Sequence, residues 1–285
     1  MSGAARVRVV TDSTCDLPRE ICDQLDVVVV PLNVQFGATV YRDGVDLDSR
    51  RFFELLAKGS DFPKTSQPAS GRFEETYSRL AAEGSAIVSI HLSSRLSGTV
   101  NSAALAGQAV RGRCRVEVVD SRSASLGLGL IVMAAAELAR AGADQWEVVS
   151  LVRRLSPNVH IMCFVDTLEY LQRGGRIGRA QAFLGTLLSI RPILKLEDGE
   201  VQPVEKVRTR SKAIDGLVEF VELFPHIDRL ALLHDDSPSD IEMLLRRIEP
   251  SFPREKVIVG HYGPVIGAHA GPGAVGVVVS QGLFA

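Results

Sequence analysis

Short runs of apolar, often β-branched residues alternate along the chain with longer stretches in which apolar residues recur every three or four positions. The short runs predict β-strands, and the longer stretches predict α-helices that bury one face. The predicted strands are Arg6–Val10, Val27–Val34, Ala86–His91, Val116–Val119, Ile161–Val165, Pro192–Leu196, Val201–Val207, Arg229–His234, Lys256–Gly260 and Ala274–Val279. The predicted helices are Pro18–Gln24, Ser49–Lys58, Gly71–Glu83, Gly98–Arg111, Leu126–Ala141, Gln145–Ser156, Arg210–Leu223 and Pro238–Ile248.

The order of these elements predicts an α/β fold with two domains. Up to about residue 155, strands alternate with helices, as in a parallel, doubly wound sheet built from βαβ units. Beyond that point, Asp198 and Gly199 separate two apolar runs, which predicts a β-hairpin and a mixed sheet with flanking helices. We expect a parallel α/β domain over residues 1–155, a mixed α/β domain over residues 156–285, and a ligand cleft between them. The loop around residues 62–72 is expected to pack on the second domain.

Composition narrows the class of protein without revealing its chemistry. Of the 285 residues, 46% are hydrophobic and 23% are charged, values close to the average of globular proteins. The formal net charge of −2 lacks the basic excess used in non-specific nucleic-acid binding, so no nucleic-acid partner is expected. The N-terminal segment lacks the apolar stretch of a secretory leader, and no run approaches the ~20 residues of a membrane span. We expect a cytoplasmic protein for which any membrane contact is transient.

Common signatures of catalysis and metal binding are absent from the sequence. The four cysteines, Cys15, Cys22, Cys114 and Cys163, form no C-x-x-C pair, so we expect free thiols and no metal site. The segment Gly271–Gly276 matches G-x-G-x-x-G, but it precedes a predicted strand instead of opening a helix, which argues against a dinucleotide site. The P-loop, H-E-x-x-H, G-x-S-x-G and S-x-x-K patterns do not occur, and no cofactor is expected.

Hydroxyl side chains cluster after the predicted strands of the first half. Ser97, Gly98 and Thr99 follow one strand, and Ser97 is expected to be the N-cap of the next helix. Thr65 and Ser66 lie in a second polar loop before another helix. Ligands bind outside the carboxyl ends of parallel strands, and a helix N-terminus favours anions. These loops therefore predict an anion-binding site, and the alternative is that each is a plain capping turn.

Positive charge is concentrated in the second half of the chain. Residues 172–195 include five basic side chains and no acidic one, and residues 206–212 include four more. Arg176 follows two glycines, an arrangement that suits a phosphate or carboxylate, whereas a solvated or salt-bridged face explains the same pattern equally well. His269 lies in a Gly/Ala/Pro segment, where it either donates to an anion or is satisfied within a turn.

Segments in order along nearly the entire chain resemble the DegV family, the fatty-acid-binding proteins that serve bacterial fatty acid kinase. They are VVTDSTCDLP, KTSQPASGRF, SSRLSGTVNSA, VVDSRSASLGLG, DTLEYLQRGGRIG, RPILKLEDGEVQPVEKVRTRSKA and GPVIGAHAGPGAVGV. The resemblance implies two α/β domains that enclose one long-chain fatty acid in a buried tunnel, with its carboxylate at the interdomain cleft. It implies a lipid carrier, not an enzyme, that presents the fatty acid to an ATP-dependent kinase for acyl-phosphate formation and phospholipid metabolism.

The resemblance also implies roles for individual residues. Thr65 and Ser97 resemble the side chains that hydrogen-bond the carboxylate, with His269 nearby. Arg176 and Arg208 resemble arginines linked to acyl-phosphate formation with the kinase subunit. The full set of expected ligand-binding residues is Thr65, Ser66, Ser97, Gly98, Thr99 and His269.

Two other functions fit parts of the sequence. A self-sufficient hydrolase or acyltransferase, acting on a small acyl or phosphorylated substrate, would use Ser97 as nucleophile and His269 as base, but no third orienting residue can be placed. A transcription regulator would use the basic segments to bind DNA phosphates. The physical chemistry favours the fatty-acid hypothesis, because apolar strands can bury an alkyl tail while hydroxyls and a helix N-terminus satisfy the carboxylate.

Overall fold

The structure is a computed structural model that describes residues 6–59, 61–185 and 190–283. Its strands are β1 (Val7–Asp12), β2 (Val28–Val30), β3 (Asn33–Phe36), β4 (Thr39–Arg42), β5 (Lys64–Ser66), β6 (Ala86–His91), β7 (Val116–Asp120), β8 (Val159–Phe164), β9 (Arg191–Glu197), β10 (Glu200–Val207), β11 (Arg229–His234), β12 (Ile258–His261) and β13 (Val275–Ser280). Its α-helices are α1 (Arg19–Leu25), α2 (Ser49–Lys58), α3 (Ser70–Ala82), α4 (Thr99–Ala109), α5 (Ser125–Arg140), α6 (Gln145–Leu155), α7 (Glu169–Arg173), α8 (Arg210–Glu222), α9 (Pro238–Ile248) and α10 (Pro264–Ala270). Short 3₁₀ turns cover Ser13–Cys15, Ser156–Asn158, Gly178–Phe183 and Arg254–Lys256.

The first sheet is parallel and carries helices on both faces. Its four strands have the order β2-β1-β6-β7, with every neighbouring pair parallel. Alternate residues of β1 point to opposite faces: Val10 packs with Phe73 of α3 and Ala103 of α4, whereas Val7 and Val9 belong to the core around α5. The prediction of a parallel, doubly wound sheet is confirmed.

The second sheet is mixed. Its six strands have the order β10-β9-β8-β13-β11-β12, and only the β11–β12 pair is parallel. Strands β9 and β10 form the hairpin predicted from the Asp-Gly pair, with positive φ at both Asp198 (51°) and Gly199 (78°). Two positive φ values are typical of a type I′ turn, whose twist matches that of the paired strands. The expectation of a mixed sheet with flanking helices is confirmed.

Helix α5 lies between the two sheets and contacts strands of both. Residues 125–136 are buried without interruption, which explains why this stretch is apolar on every side. Gly127 and Gly129 make close packing possible, because an added Cβ would lie 2.4 Å from the Ile161 side chain and 2.5 Å from the Cys15 carbonyl oxygen, respectively. Within the described residues, no helix is long and apolar enough to cross a membrane.

A third, three-stranded antiparallel sheet was not predicted from the sequence. Its order is β4-β3-β5, and it divides the single predicted strand Val27–Val34 into β2 and β3, on either side of Pro31. Proline has no N–H for a strand ladder, so the break falls there. Leu32 and Val34 pack with Phe52 of α2, and this apolar contact holds the small sheet against that helix.

The sequence pattern did not predict the short helices α7 and α10. Helix α10 contains His269, which was expected to lie in a loop. His269 lies in the last turn of this helix, which begins at Pro264. Proline is favoured at the first position of a helix, where its missing N–H has no partner to lose. A helix of seven residues is too short to give a clear apolar period, so the glycines around His269 indicated a loop.

The division at residue 155 stays a prediction. The structure shows a continuous core in which Val9 of the first sheet and Ile161 and Leu233 of the second belong to one cluster. The segment before α3 contacts the second half of the chain directly, because Phe62 stacks on Tyr170 with ring centroids 5.4 Å apart.

Candidate functional site

An apolar cavity lies between the second sheet and the loops that follow strands of the first. Its apolar lining comes from Leu32, Leu92, Leu96, Ala124, Ile161, Cys163, Val165, Leu171, Leu194, Leu196, Val201, Leu233, Val265, Ile266, Ala270, Ala274 and Val275. Its polar lining comes from Thr65, Ser66, Gln67, Ser97, Ser125, Arg176, Lys195, Tyr262 and His269. A cavity with a long apolar wall and a small set of polar groups suits an amphiphilic ligand.

Thr65 and His269 meet at the cavity although 204 positions separate them in sequence. Strand β5 carries Thr65, helix α10 carries His269, and the hydroxyl Oγ1 lies 2.7 Å from the imidazole Nε2. The third sheet positions Thr65, because β5 pairs with β3 opposite Val34. A direct hydrogen bond therefore joins two of the residues expected to bind the ligand, and their role in binding stays a prediction.

His269 is held as a neutral imidazole. Burial, followed by the positive charge of Arg176, lowers the pKa of His269 to about 4. Its Nδ1 atom is buried without a hydrogen-bond partner in the described part of the chain. A neutral histidine beside a hydroxyl can take part in hydrogen bonds to an anion without the desolvation cost of a buried charge.

Arg176 joins two walls of the cavity. Its Nε donates to the carbonyl oxygen of Leu96 at 3.0 Å, and its Nη1 donates to the carbonyl oxygen of Gly174 at 2.7 Å. The first contact reaches the loop before α4, and the second reaches the end of α7. The guanidinium thus contributes positive charge to the polar part of the cavity while it holds these segments together.

Ser97 lies at the cavity but does not cap α4, so that prediction is wrong. The N-cap of α4 is Gly98, which provides no side-chain hydrogen bond. Ser97 Oγ instead lies 2.9 Å from Thr99 Oγ1, and Thr99 is buried beneath it. Gly98 is covered by the Gln67 side chain, whose nitrogen would lie 2.6 Å from a Cβ at that position. The Ser97 hydroxyl thus contacts the side chain of the first residue of α4, and Ser97 also lines the cavity.

Ser66 and Arg208 are both exposed, and only Ser66 is among the cavity-lining residues. Ser66 is an exposed cavity-lining residue whose Oγ accepts a long, 3.4 Å hydrogen bond from Asn33 Nδ2. Arg208 is exposed in the connection between β10 and α8 and is not among the residues that line the cavity. The structure therefore places Thr65, Ser97, Arg176 and His269 around one cavity and leaves Arg208 outside it.

Most of the basic side chains concentrated in the second half are paired with carboxylates. Arg191 and Arg210 both contact Asp166, and Arg210 also contacts Asp240. The other pairs are Arg173–Glu169, Arg179–Glu200, Lys195–Glu197 and Lys212–Asp215. The salt-bridged face, which the sequence left open as an alternative, describes most of this region.

Two polar clusters beside the cavity had no clear sequence signal. In the first, Asp12 accepts from Leu92 N at 3.0 Å and contacts His91 Nδ1 at 2.9 Å, with both side chains fully buried. In the second, Asp16 accepts from Gly263 N at 2.8 Å and from Ser125 Oγ. Long-range backbone packing creates both clusters, so only the hydroxyl-rich composition of the strand ends indicated a polar region here.

Burial also raises the pKa values of Asp16, in this second cluster, and of the neighbouring Asp43. It raises the pKa of Asp43 to about 7, and it raises the pKa of Asp16 well above its usual range. Both carboxyl groups lie within 3.3 Å of the point where a Cβ on Gly263 would stand, directly before helix α10. The helix that carries His269 therefore begins against two carboxyl groups that favour the protonated form.

The two residues that the alternative hydrolase would use do not contact each other. His269 is bonded to Thr65, and Ser97 is bonded to Thr99, so the Ser97–His269 pair that a hydrolase would need is not formed. Across residues 6–59, 61–185 and 190–283, no three His, Cys, Asp or Glu side chains form a group that could hold a metal ion. All four cysteines are free thiols.

Comparison with known proteins identifies the family. Residues 6–282 match the family described as "Uncharacterised protein, DegV family". The chain belongs to the DegV family. Protein DegV of Bacillus subtilis is 36% identical over 275 residues, which cover 95% of this chain and 98% of the relative. The DegV resemblance seen in the sequence is thereby confirmed over nearly the whole chain.

Solved DegV structures share the fold and are described as fatty-acid-binding proteins. A DegV family protein from Thermus thermophilus, described by its fatty acid binding, has a TM-score of 0.90 and 38% identity, with coverage of 97% of this chain and 99% of that one. DegV of Bacillus subtilis, described as a fatty acid binding protein, has a TM-score of 0.87 and 34% identity, with coverage of 98% and 100%. The two-domain α/β architecture is therefore that of the family.

Proposed function

We propose that this DegV protein binds one long-chain fatty acid in the cavity and presents its carboxylate to an ATP-dependent kinase in the cytoplasm. The observation that carries the proposal is a long apolar wall that ends in two hydroxyls, a neutral imidazole and one guanidinium, those of Thr65, Ser97, His269 and Arg176. Fatty-acid binding by relatives of similar fold supports the same ligand class.

The apolar wall can supply the binding energy. Burial of an alkyl chain contributes about 0.8 kcal/mol per methylene, so a long tail gains far more than a short one. Residues from β8, β9, β10 and β11 contribute to the wall, among them Ile161, Leu194 and Leu233. We therefore expect affinity to rise with tail length until the tail exceeds the cavity.

The polar residues can satisfy the carboxylate. A buried carboxylate is costly unless it accepts hydrogen bonds, and charge-assisted bonds to it are short and strong. Thr65 and Ser97 supply hydroxyl donors, and Arg176 supplies positive charge nearby. No nucleophile from this chain is required, because the fatty-acid carboxylate itself can attack the γ-phosphorus of ATP.

In that reaction a carboxylate oxygen forms a bond to the γ-phosphorus, the bond from that phosphorus to the β–γ bridging oxygen breaks, and ADP leaves. The product is an acyl phosphate, and the partner kinase supplies the ATP site. This chain contributes the position of the carboxylate and positive charge near the developing phosphoryl group. We propose Arg176 for that charge within the cavity and the exposed Arg208 for contact with the kinase-bound nucleotide.

The first test is to extract the natively purified protein with organic solvent and identify the extract by mass spectrometry. The proposal expects a long-chain fatty acid at about one equivalent per chain. Delipidated protein should rebind such an acid but bind the corresponding alcohol more weakly, because an alcohol lacks the charge that the polar residues stabilise. Absence of fatty acid from the extract, together with no rebinding, would refute the proposed ligand.

The second test reconstitutes the protein with an ATP-dependent fatty acid kinase and traps acyl phosphate with hydroxylamine. Arg208→Ala is expected to leave fatty-acid affinity unchanged and to lower the rate of hydroxamate formation. A matched control is Arg111→Ala, which removes an exposed arginine from the region just after α4. Equal rates for the two variants would exclude the proposed role of Arg208.

A further inference from the structure

Gly174 has no conformational reason to be a glycine. It ends helix α7 with φ −74° and ψ −11°, which is ordinary right-handed helical backbone. Any L-residue adopts these angles without strain. The neighbouring Gly175 differs, because its φ of +70° lies in the left-handed region that favours glycine.

Space explains the glycine at position 174. A Cβ added there would lie 2.2 Å from Nδ1 and 2.7 Å from Cε1 of His269. Both distances are far below van der Waals contact, so the imidazole occupies the place of a side chain on Gly174. On its other side the ring is only 2.7 Å from Thr65 Oγ1, and it cannot move away from residue 174 without disturbing that contact.

The same packing decides which ring nitrogen carries the proton. Nδ1 is buried against Gly174 and has no hydrogen-bond partner among the described residues, whereas Nε2 contacts Thr65 Oγ1. Buried N–H groups without an acceptor are rarer and costlier than unpaired acceptors. The neutral ring therefore keeps its proton on Nε2 and donates it to Thr65 Oγ1. The hydroxyl proton of Thr65 is then free to be donated into the cavity.

We propose that Gly174 is a positioning residue: its missing side chain seats His269 so that Nε2–H donates to Thr65, and this orients the Thr65 hydroxyl toward the ligand carboxylate. The carbonyl oxygen of Gly174 also accepts from Arg176 Nη1 at 2.7 Å, so one residue holds both the imidazole and the guanidinium. The inference deepens the proposed function and rests on it for the identity of the anion.

The test compares Gly174→Ala with Gly175→Ala. An added Cβ at position 175 meets nothing within 4 Å, so that variant carries backbone strain without a collision. We expect Gly174→Ala to weaken fatty-acid binding at least ten-fold, and Gly175→Ala to bind within about two-fold of the wild type. Equal affinities for the two variants would overturn the proposal.

A double-mutant cycle separates positioning from general damage to the fold. A His269→Ala background removes the collision with the imidazole and leaves only a 3.0 Å approach of the new Cβ to the Tyr170 carbonyl oxygen, so Gly174→Ala is expected to cause little further loss of affinity. Additive losses in the double variant would contradict the inference. This comparison remains decisive if Gly174→Ala alone folds poorly, because the double variant removes the steric cause.

The tautomer can be measured without any substitution. Nitrogen-15 NMR of the wild-type imidazole should show His269 protonated at Nε2, and protonation at Nδ1 would overturn the inference. This readout does not depend on a ligand. If the wild-type protein binds no fatty acid, the proposed function is refuted. The NMR result would still test how Gly174 and Thr65 position the His269 ring.

Discussion

At the scale of single residues, the charge in the polar part of the cavity depends on His269, a side chain that can be neutral or positively charged. His269 is an imidazole whose pKa is lowered to about 4, mainly by burial. Arg176 brings a formal positive charge to the same cavity, whereas Lys195, which also lines it, is paired with Glu197. For the proposed carboxylate ligand, Arg176 would supply the balancing charge, and the hydroxyl groups would donate hydrogen bonds.

The first prediction at this scale concerns the titration of His269. In the ligand-free protein its pKa should be about 4, and a bound fatty-acid carboxylate should raise that pKa because it favours the imidazolium. Since the pKa in the unfolded chain is about 6.5, the free energy of unfolding should fall as pH drops from about 6.5 toward 4. Proton NMR of the imidazole across this range gives the value, and an unshifted midpoint near 6.5 would contradict it.

The second prediction concerns the Thr65 hydroxyl. Thr65→Val keeps the shape of the side chain and removes the hydrogen-bond donor, so fatty-acid affinity should fall by about ten-fold, or roughly 1.4 kcal/mol. Thr76→Val is a matched control, because Thr76 Oγ1 donates within α3 to the Arg72 carbonyl oxygen at 3.0 Å. A fluorescent fatty-acid displacement assay measures both, and an equal change in the two variants would argue against a ligand contact at Thr65.

At the scale of elements, short segments from distant parts of the chain build the polar site. Strand β5 presents Thr65, helix α10 presents His269, and the end of α7 supports the ring. Helix α10 begins against Asp16, which accepts from Gly263 N, and against Asp43. The start of α10 therefore lies against two buried carboxyl groups whose pKa values are raised by burial.

The prediction at this scale is a pH dependence that Asp43→Asn removes. Burial raises the pKa of Asp43 to about 7, so the folded state binds a proton that the unfolded chain has lost above about pH 4. The free energy of unfolding should therefore fall as pH rises from about 4 to 7, by an amount of order 1–4 kcal/mol, and level off above that range.

Urea denaturation of the wild type and Asp43→Asn across this range measures the effect. The stability difference between them should grow in favour of the variant as pH rises. Asp46→Asn serves as the control, because Asp46 is an exposed carboxylate paired with Arg42, and that contact lowers its pKa to about 2. A stability difference for Asp43→Asn that does not change with pH would show that burial does not hold Asp43 protonated.

At the scale of the whole molecule, helix α5 joins the two sheets into one core. Its buried residues pack with Val9 on one side and with Ile161 on the other, and its N-terminal Ser125 lines the cavity. A helix with apolar residues on every side has no solvated face, so both sheets are needed to cover it. Ligand binding and folding of the two sheets are therefore expected to be coupled.

The prediction at this scale is that Gly127→Ala destabilises both sheets together. An added Cβ would lie 2.4 Å from the Ile161 side chain and 2.4 Å from Ser123 Oγ, and such overpacking costs about 1–3 kcal/mol. Thermal unfolding should remain a single transition with a lower midpoint. Gly112→Ala is the control, since nothing lies within 4 Å of a Cβ there. Two separate transitions would show that the sheets do not share one cooperative core.

The sequence by itself determined most of the regular architecture. Runs such as Ala86–His91, which β6 reproduces, were long and apolar enough to predict the parallel sheet, and Asp198-Gly199 predicted the hairpin, because these signals are local. The family motifs also indicated Thr65, Ser97, Arg176 and His269, which line the same cavity. The sequence merged β3 with β2 and missed β4, β5, α7 and α10, because short elements owe their conformation to packing and not to a periodic pattern.

Only the tertiary structure decided how the site is assembled. The Thr65–His269 contact spans 204 residues, and no local pattern specifies a pairing of that kind. Likewise, Ser97 lines the cavity and is not the N-cap of α4. The imidazole of His269, from another element, occupies the space that a side chain on residue 174 would fill. Local backbone preferences act over a few residues, whereas the burial that lowers the pKa of His269 and raises the pKa of Asp43 exists only once distant segments have packed together.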